Sequence, residues 1–269
     1  MLNKYFNLAK NKLFRINRSI TGNGTRQTLK IIKKELPQLS IKYFISGSKV
    51  FDWKIPAVWN VSAAFIKDKF GKKIIDIKEN NLHLQSYSTP INIKIKKKKL
   101  LSKLYYLNSQ PKAIPYVTSY YKKNWAFCLN KIQFNNLKKN YKDDDTFNVC
   151  IESEFNNNGK MYYGEYFIKG ETSEEILIST YICHSSMAND NLSGIIVTMN
   201  LINFFQKKKK LKKSIRFIFI PETIGSIAYI SKNLKNLKKN VIGGYNLTCI
   251  GDNQSHSCLL SKYKKSASD

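Results

Sequence analysis

Three apolar segments of strand length, Ile176 to Cys183, Ser214 to Ile220 and Val241 to Ile250, alternate with two helical patterns, Ser193 to Gln206 and Ile224 to Leu237. A strand that is apolar on both faces must be covered on both faces, and helices placed between such strands supply the cover as crossovers. The pattern predicts an α/β fold: a mostly parallel central sheet flanked by helices. Upstream, Met1 to Asn17 and Arg26 to Leu36 carry apolar residues near helical spacing, with Pro37 as a stop, and Leu39 to Ile45 alternates as a strand. The Gly22-Asn23-Gly24 segment between the two helices is a turn and not a dinucleotide fingerprint, because no strand precedes it.

Between Ser46 and Asp145 the texture changes to short aromatic and β-branched segments punctuated by Gly71, Pro90, Pro111 and Pro115. This predicts a small β-rich domain, residues 46–145, inserted into an α/β domain built from residues 1–45 and 146–269. Asn148 to Glu154 and Met161 to Ile168 are expected to pair as a hairpin across Asn156 to Gly159. The aromatic residues of Ile114 to Tyr121 and Asn124 to Phe127 are read as the core of the small domain, with a substrate-contacting wall as the alternative.

Several classes of function are set aside on composition. No stretch of about 18 apolar residues lacks a charge, so no membrane span or membrane partner is expected. The N-terminus carries Lys4, Lys10 and Lys12 where a secretory signal needs an unbroken apolar run, and the five cysteines form no C-x-x-C pair. A cytoplasmic protein with free thiols is expected. The net charge of +28 invites a nucleic-acid partner, but only Arg15, Arg18, Arg26 and Arg216 among the 46 basic residues can offer the bidentate fork that reads bases. The runs Lys94 to Lys99 and Lys207 to Lys213 are instead read as a solvated loop and a helix end.

In open α/β sheets, ligands bind beyond the carboxyl ends of the strands. The polar residues there are Cys183-His184 after the first apolar strand, Glu222 after the second and Asp252 after the third, with Asp190 in the loop that follows His184. Imidazole with carboxylates suits Zn²⁺, Mn²⁺ or another divalent ion, and a carboxylate off the metal can deprotonate an attacking water. Metal-assisted hydrolysis is the chemistry such a set performs.

The segment Asp190-Asn-Leu-Ser-Gly194, with His184 on an earlier strand end, resembles the co-catalytic zinc aminopeptidases, the superfamily of bacterial leucyl aminopeptidase and the glutamate carboxypeptidases. Arg18 to Gly24, Lys49 to Trp53, Tyr87 to Pro90, Ile114 to Tyr121, Tyr181 to His184 and Ile220 to Ser226 further resemble an uncharacterised bacterial branch labelled aminopeptidase-like domain proteins, some in polysaccharide-biosynthesis loci. The resemblance implies one or two zinc ions, with His184 a ligand of one metal, Asp190 the bridging carboxylate and Asp252 a ligand of the second neighbourhood. Glu222 stands where the superfamily has a Glu-Glu pair, one base and one ligand. Its spacing to Gly225 fits the catalytic base, which leaves Thr223 at the ligand position.

Two departures accompany the likeness. Ser186 stands two residues after the histidine, where an aspartate usually orients the ligand, and the family's distal histidine is not found after Asp252; His256 follows too closely to replace it. A C-terminally truncated member, binding zinc weakly, is therefore expected. The function read from the sequence is a metal-dependent aminopeptidase-like hydrolase acting on a peptide or amide-containing small substrate. The alternative is a non-catalytic peptide- or glycan-binding protein on a degenerate peptidase scaffold.

Overall fold

The computed structural model describes residues 2–254, 257–266 and 268–269, and His256 lies outside the described residues. Two compact units are present, one formed by residues 1–57 and 157–269 and the other by residues 58–156.

The first unit begins with α1 (Leu2–Leu8), extended by a π-helical turn (Ala9–Leu13), and α2 (Asn23–Glu35). Strand β1 (Ser40–Ile45) and a short antiparallel ribbon, β2 (Lys49–Val50) with β3 (Trp53–Lys54), follow. The second unit contributes β4 (Val58–Lys67), β5 (Lys73–Asp76), β6 (Ile91–Lys96), α3 (Lys97–Leu101), β7 (Leu104–Tyr105), β8 (Phe127–Cys128), α4 (Lys131–Asn140) and β9 (Thr146–Asn156). The chain then returns to the first unit as β10 (Lys160–Ile168), β11 (Glu175–Tyr181), an irregular turn (Ala188–Ser193), α5 (Gly194–Gln206), β12 (Ser214–Ile220), α6 (Ile224–Asn240) and β13 (Val241–Asn246).

The central sheet has the order β1-β10-β12-β11-β13. It is mixed, with two parallel and two antiparallel pairings. The expected strands β11, β12 and β13 run parallel, β10 pairs antiparallel with β12, and β1 pairs antiparallel with β10 and so runs in the same direction as the first three. The physical reason is the link from β10 (Lys160–Ile168) to β11 (Glu175–Tyr181), which carries no crossover helix and so returns the chain in the opposite direction. The anticipated hairpin does not form either: β9 pairs with β4 and β6 in the four-stranded sheet β5-β4-β9-β6, while β10 pairs with β1 and β12. A turn signal marks where a strand stops, but the neighbouring strands decide which sheet each segment joins.

Alternation along the strands assigns the two faces of the central sheet. Tyr166 of β10, Ile178 of β11 and Ile215, Phe217 and Phe219 of β12 share one core with Tyr5, Leu13, Leu29, Ile32, Ile195, Met199 and Ile202, so α1, α2 and α5 cover this face. Gly164 sits on it where a Cβ would meet the Leu29 side chain at 2.9 Å, which lets α2 lie close. The intervening residues face α6 and are partly ionic. Glu165 of β10 takes Lys42 at 2.6 Å and the Tyr229 hydroxyl of α6 at 2.9 Å, and Arg216 of β12 bonds Glu175 through Nε and Nη2 at 2.7 and 2.8 Å. Among the described residues no helix is long and apolar enough to cross a membrane.

In the second unit, Tyr87 is buried between Trp59, stacked at 5.6 Å, and the edges of Tyr120 and Phe155 at 5.2 and 6.0 Å. The lysine run Lys94 to Lys99 is no loop: it forms the edge strand β6 and the helix α3, with edge lysines that discourage pairing with another chain. Lys97 is buried, its ammonium donating to the carbonyls of Lys138 and Tyr141 at 3.1 and 2.5 Å.

Candidate metal centre

Strand β11 ends at Tyr181, Ile182 still donates its N–H to the Ile220 carbonyl at 3.1 Å, and the residues that follow are held by an N-terminal segment far off in sequence. Arg18, fully buried, donates Nε–H to the His184 carbonyl at 2.7 Å and Nη1–H to the Leu13 carbonyl at 2.5 Å. The Arg18 backbone N–H donates to Ser185 Oγ, which in turn donates to the Arg18 carbonyl at 2.7 Å. The Arg18-Ser19-Ile20-Thr21 segment is thus the clamp that fixes the His184 backbone. Gly24 allows it: a Cβ there would meet the Asn17 carbonyl oxygen at 1.8 Å.

The imidazole so placed lies between two carboxylates. His184 Nδ1 is 3.0 Å from Asp190 Oδ1, and Nε2 is 2.8 Å from Glu222 Oε2, with the ring 5.1 Å from that of Tyr181. Burial opposes charge on the ring, but hydrogen bonds and charge from Asp190 and Cys183 outweigh it and push the His184 pKa up to about 11. Each ring nitrogen thus lies within hydrogen-bond distance of a carboxylate oxygen. Asp190 and Glu222 remain partly open to solvent.

Glu222 is delivered by the turn from β12 into α6. Thr223, at the head of α6, has φ of 56° and ψ of −84°, a backbone region that a β-branched residue adopts only under constraint. Gly225 lets the helix close down on this turn, since a Cβ would meet Ile220 and Pro221 at 2.9–3.0 Å. Thr223 is exposed.

Asp190 and Asn191 sit in the irregular turn before α5, off helical backbone angles. Asn191 is buried and ties the turn down by donating Nδ2–H to Thr180 Oγ1 at 2.7 Å and to the Tyr181 carbonyl at 3.0 Å. Gly194 opens α5 where a Cβ would lie 2.3 Å from the Leu247 carbonyl and 2.5 Å from Thr180 Oγ1. Gly194→Ala is expected to cost about 1–3 kcal/mol, as overpacking of a filled site does, and to displace Asp190. Thermal melting reads the first effect and zinc affinity the second.

Of the residues expected at the site, the structure joins His184, Asp190 and Glu222 by direct hydrogen bonds. Asp252 is exposed, and its Oδ2 accepts from Asn189, the residue before Asp190, at 3.2 Å. The group of metal-ligating atoms lying within 4.8 Å of one another among the described residues consists of Cys183, His184 and Glu222. The sequence places Cys183 at the strand end beside His184 without singling it out as a ligand, since a cysteine closing an apolar strand looks like core. Thiolate, imidazole and carboxylate together are donors that zinc accepts, so the residues present fit that ion.

The fold is one shared with zinc aminopeptidases of known structure. The zinc aminopeptidase BSAP of Bacillus subtilis superposes with a TM-score of 0.62 at 12% identity, covering 93% of this chain and 69% of the other. A peptidase M28 precursor of Shewanella amazonensis gives 0.60 at 10% identity, covering 90% and 69%. Those likenesses concern the fold. The chain belongs to the family described as a domain of unknown function (DUF4910), whose profile matches residues 6–269. It is 47% identical over 253 residues to a Clostridium acetobutylicum protein provisionally named a polysaccharide biosynthesis protein with an aminopeptidase-like domain, covering 92% of this chain and 55% of that one. A crystal structure of a provisionally assigned peptidase from Clostridium acetobutylicum matches with a TM-score of 0.86 at 45% identity, covering 93% and 57%. The chain thus spans little more than half the length of these relatives.

Proposed function

We propose that the chain forms the metal-binding part of an aminopeptidase-like hydrolase that cleaves a peptide or amide bond, with zinc as its ion. The observation that carries this is the Asp190–His184–Glu222 chain of hydrogen bonds at the carboxyl ends of parallel strands. Bound zinc would supply a polarised carbonyl and a water acidic enough to ionise near neutrality. His184 offers Nε2 to the ion once its proton leaves, and Asp190 holds Nδ1–H so that the ring keeps the required tautomer and orientation. Glu222, adjoining Nε2, takes the proton from the attacking water and returns it to the leaving amine. Arg18 positions His184 through its backbone carbonyl. The name of the Clostridium acetobutylicum relative places that protein in polysaccharide biosynthesis, and we extend that setting to this chain.

A second reading is a peptide- or glycan-binding protein on a degenerate scaffold. Two observations favour it: the exposed Thr223 where a carboxylate would serve a second ion, and the attachment of Asp252 to Asn189. The two separate in one assay. Zinc-supplemented protein is offered aminoacyl anilides and short peptides, then treated with EDTA and resupplied with zinc. The hydrolase reading expects turnover that EDTA abolishes and zinc restores. Tight zinc binding without turnover on any of these substrates supports the second.

A further inference from the structure

We propose that Cys183 is a metal ligand: its thiolate binds the same ion as His184 Nε2, beside the Glu222 carboxylate. This rests on the zinc reading above and adds a soft donor to it. The first argument is placement. The Cys183 Sγ, a His184 ring nitrogen and a Glu222 oxygen lie within 4.8 Å of one another. Sulfur at about 2.3 Å and imidazole nitrogen at about 2.1 Å from one tetrahedral ion stand about 3.6 Å apart, so a small closure completes the site.

The second argument is orientation. Neighbouring residues of an extended strand point to opposite faces, and Cys183 would then turn its back on His184. Here β11 has already ended at Tyr181, Arg18 holds the His184 carbonyl, and the Cys183 sulfur and a His184 ring nitrogen lie within 4.8 Å of each other. The third is support for negative charge. Cys183 is fully buried, yet its sulfur receives the Glu222 backbone N–H at 3.3 Å, a donor to sulfur of the kind that holds a ligating thiolate in place. On binding, the Sγ–H proton passes to solvent and the sulfur lone pair forms the bond to the ion; no oxidation is involved.

The test replaces zinc by Co²⁺, whose bonds to thiolate absorb in the near ultraviolet. The chain carrying Cys249→Ser and Cys258→Ser removes the two exposed thiols. It is expected to show this band on Co²⁺ addition. Adding Cys183→Ser should abolish the band and weaken zinc binding at least about 10- to 100-fold, with circular dichroism confirming that the protein stays folded. Zinc X-ray absorption on the protein with Cys183 intact is expected to show one sulfur scatterer, and it needs no Cys183 variant to fold. Co²⁺ bound without the band, or a zinc shell of nitrogen and oxygen only, overturns the thiolate and leaves the metal reading standing. No binding of either ion overturns both.

Discussion

Glu222→Gln is expected to lower hydrolysis by about 10²- to 10⁴-fold, the share that a positioned general base supplies. Zinc affinity should change little. The substitution keeps the shape and a hydrogen-bond acceptor for His184 Nε2, now 2.8 Å from Glu222 Oε2, but removes the proton-accepting carboxylate. Rates on aminoacyl anilides and zinc titration of the same preparations check both halves. A variant that loses zinc and activity together would make Glu222 a ligand and not the base.

The largest effect on stability is expected on the opposite side of the sheet's core. Arg216→Leu leaves Glu165 and Glu175 buried without their shared cation, a situation that costs about 3–5 kcal/mol. Arg216 is itself mostly buried, bonded twice to Glu175 and 3.2 Å from Glu165. Its pKa is raised above the ordinary guanidinium value, by the Glu175 hydrogen bond first of all. Converting Glu165 and Glu175 to Gln in the Arg216→Leu background should recover part of the loss, which urea denaturation measures. A loss no greater than about 1 kcal/mol would give the network the weight of an exposed pair.

The same network sets a pH dependence. Burial raises the Glu165 pKa, but hydrogen bonds from Lys42 and Tyr229 and the nearby charges outweigh it, leaving the carboxyl below its ordinary value. A carboxylate with a lowered folded pKa stabilises the fold at pH values above its unfolded pKa, and that stabilisation is lost as pH falls through the folded pKa. The stability gap between the native chain and Glu165→Gln should therefore be full at neutral pH and shrink in acid.

The distribution of legible and illegible features follows from where each signal resides. Apolar runs with crossover helices identify β11, β12 and β13, and the end of a parallel strand is a location that sequence reveals, so His184 and Glu222 could be picked out together with Asp190. Sheet membership is different. Nothing local to Thr146–Asn156 says that it pairs with Val58–Lys67, because the choice between two sheets is made by tertiary neighbours. Lys97 belongs to the same class: a lysine in a lysine run looks solvated until the carbonyls of Lys138 and Tyr141 are found around it. The Arg18 clamp and the inward turn of Cys183 depend on backbone geometry across more than 160 residues of sequence, as the separation of Arg18 from His184 shows. The residue motif at Arg18 was visible as a resemblance, but its task of holding His184 was not.

Zinc titration of the native chain against His184→Ala, followed calorimetrically at neutral pH, tests the central claim most directly. The chain is expected to bind zinc saturably, and His184→Ala should weaken that binding by more than about 100-fold, beyond the cost of losing an orienting neighbour alone. Equal zinc affinity in the two proteins would contradict the claim that the Asp190–His184–Glu222 cluster is a metal centre.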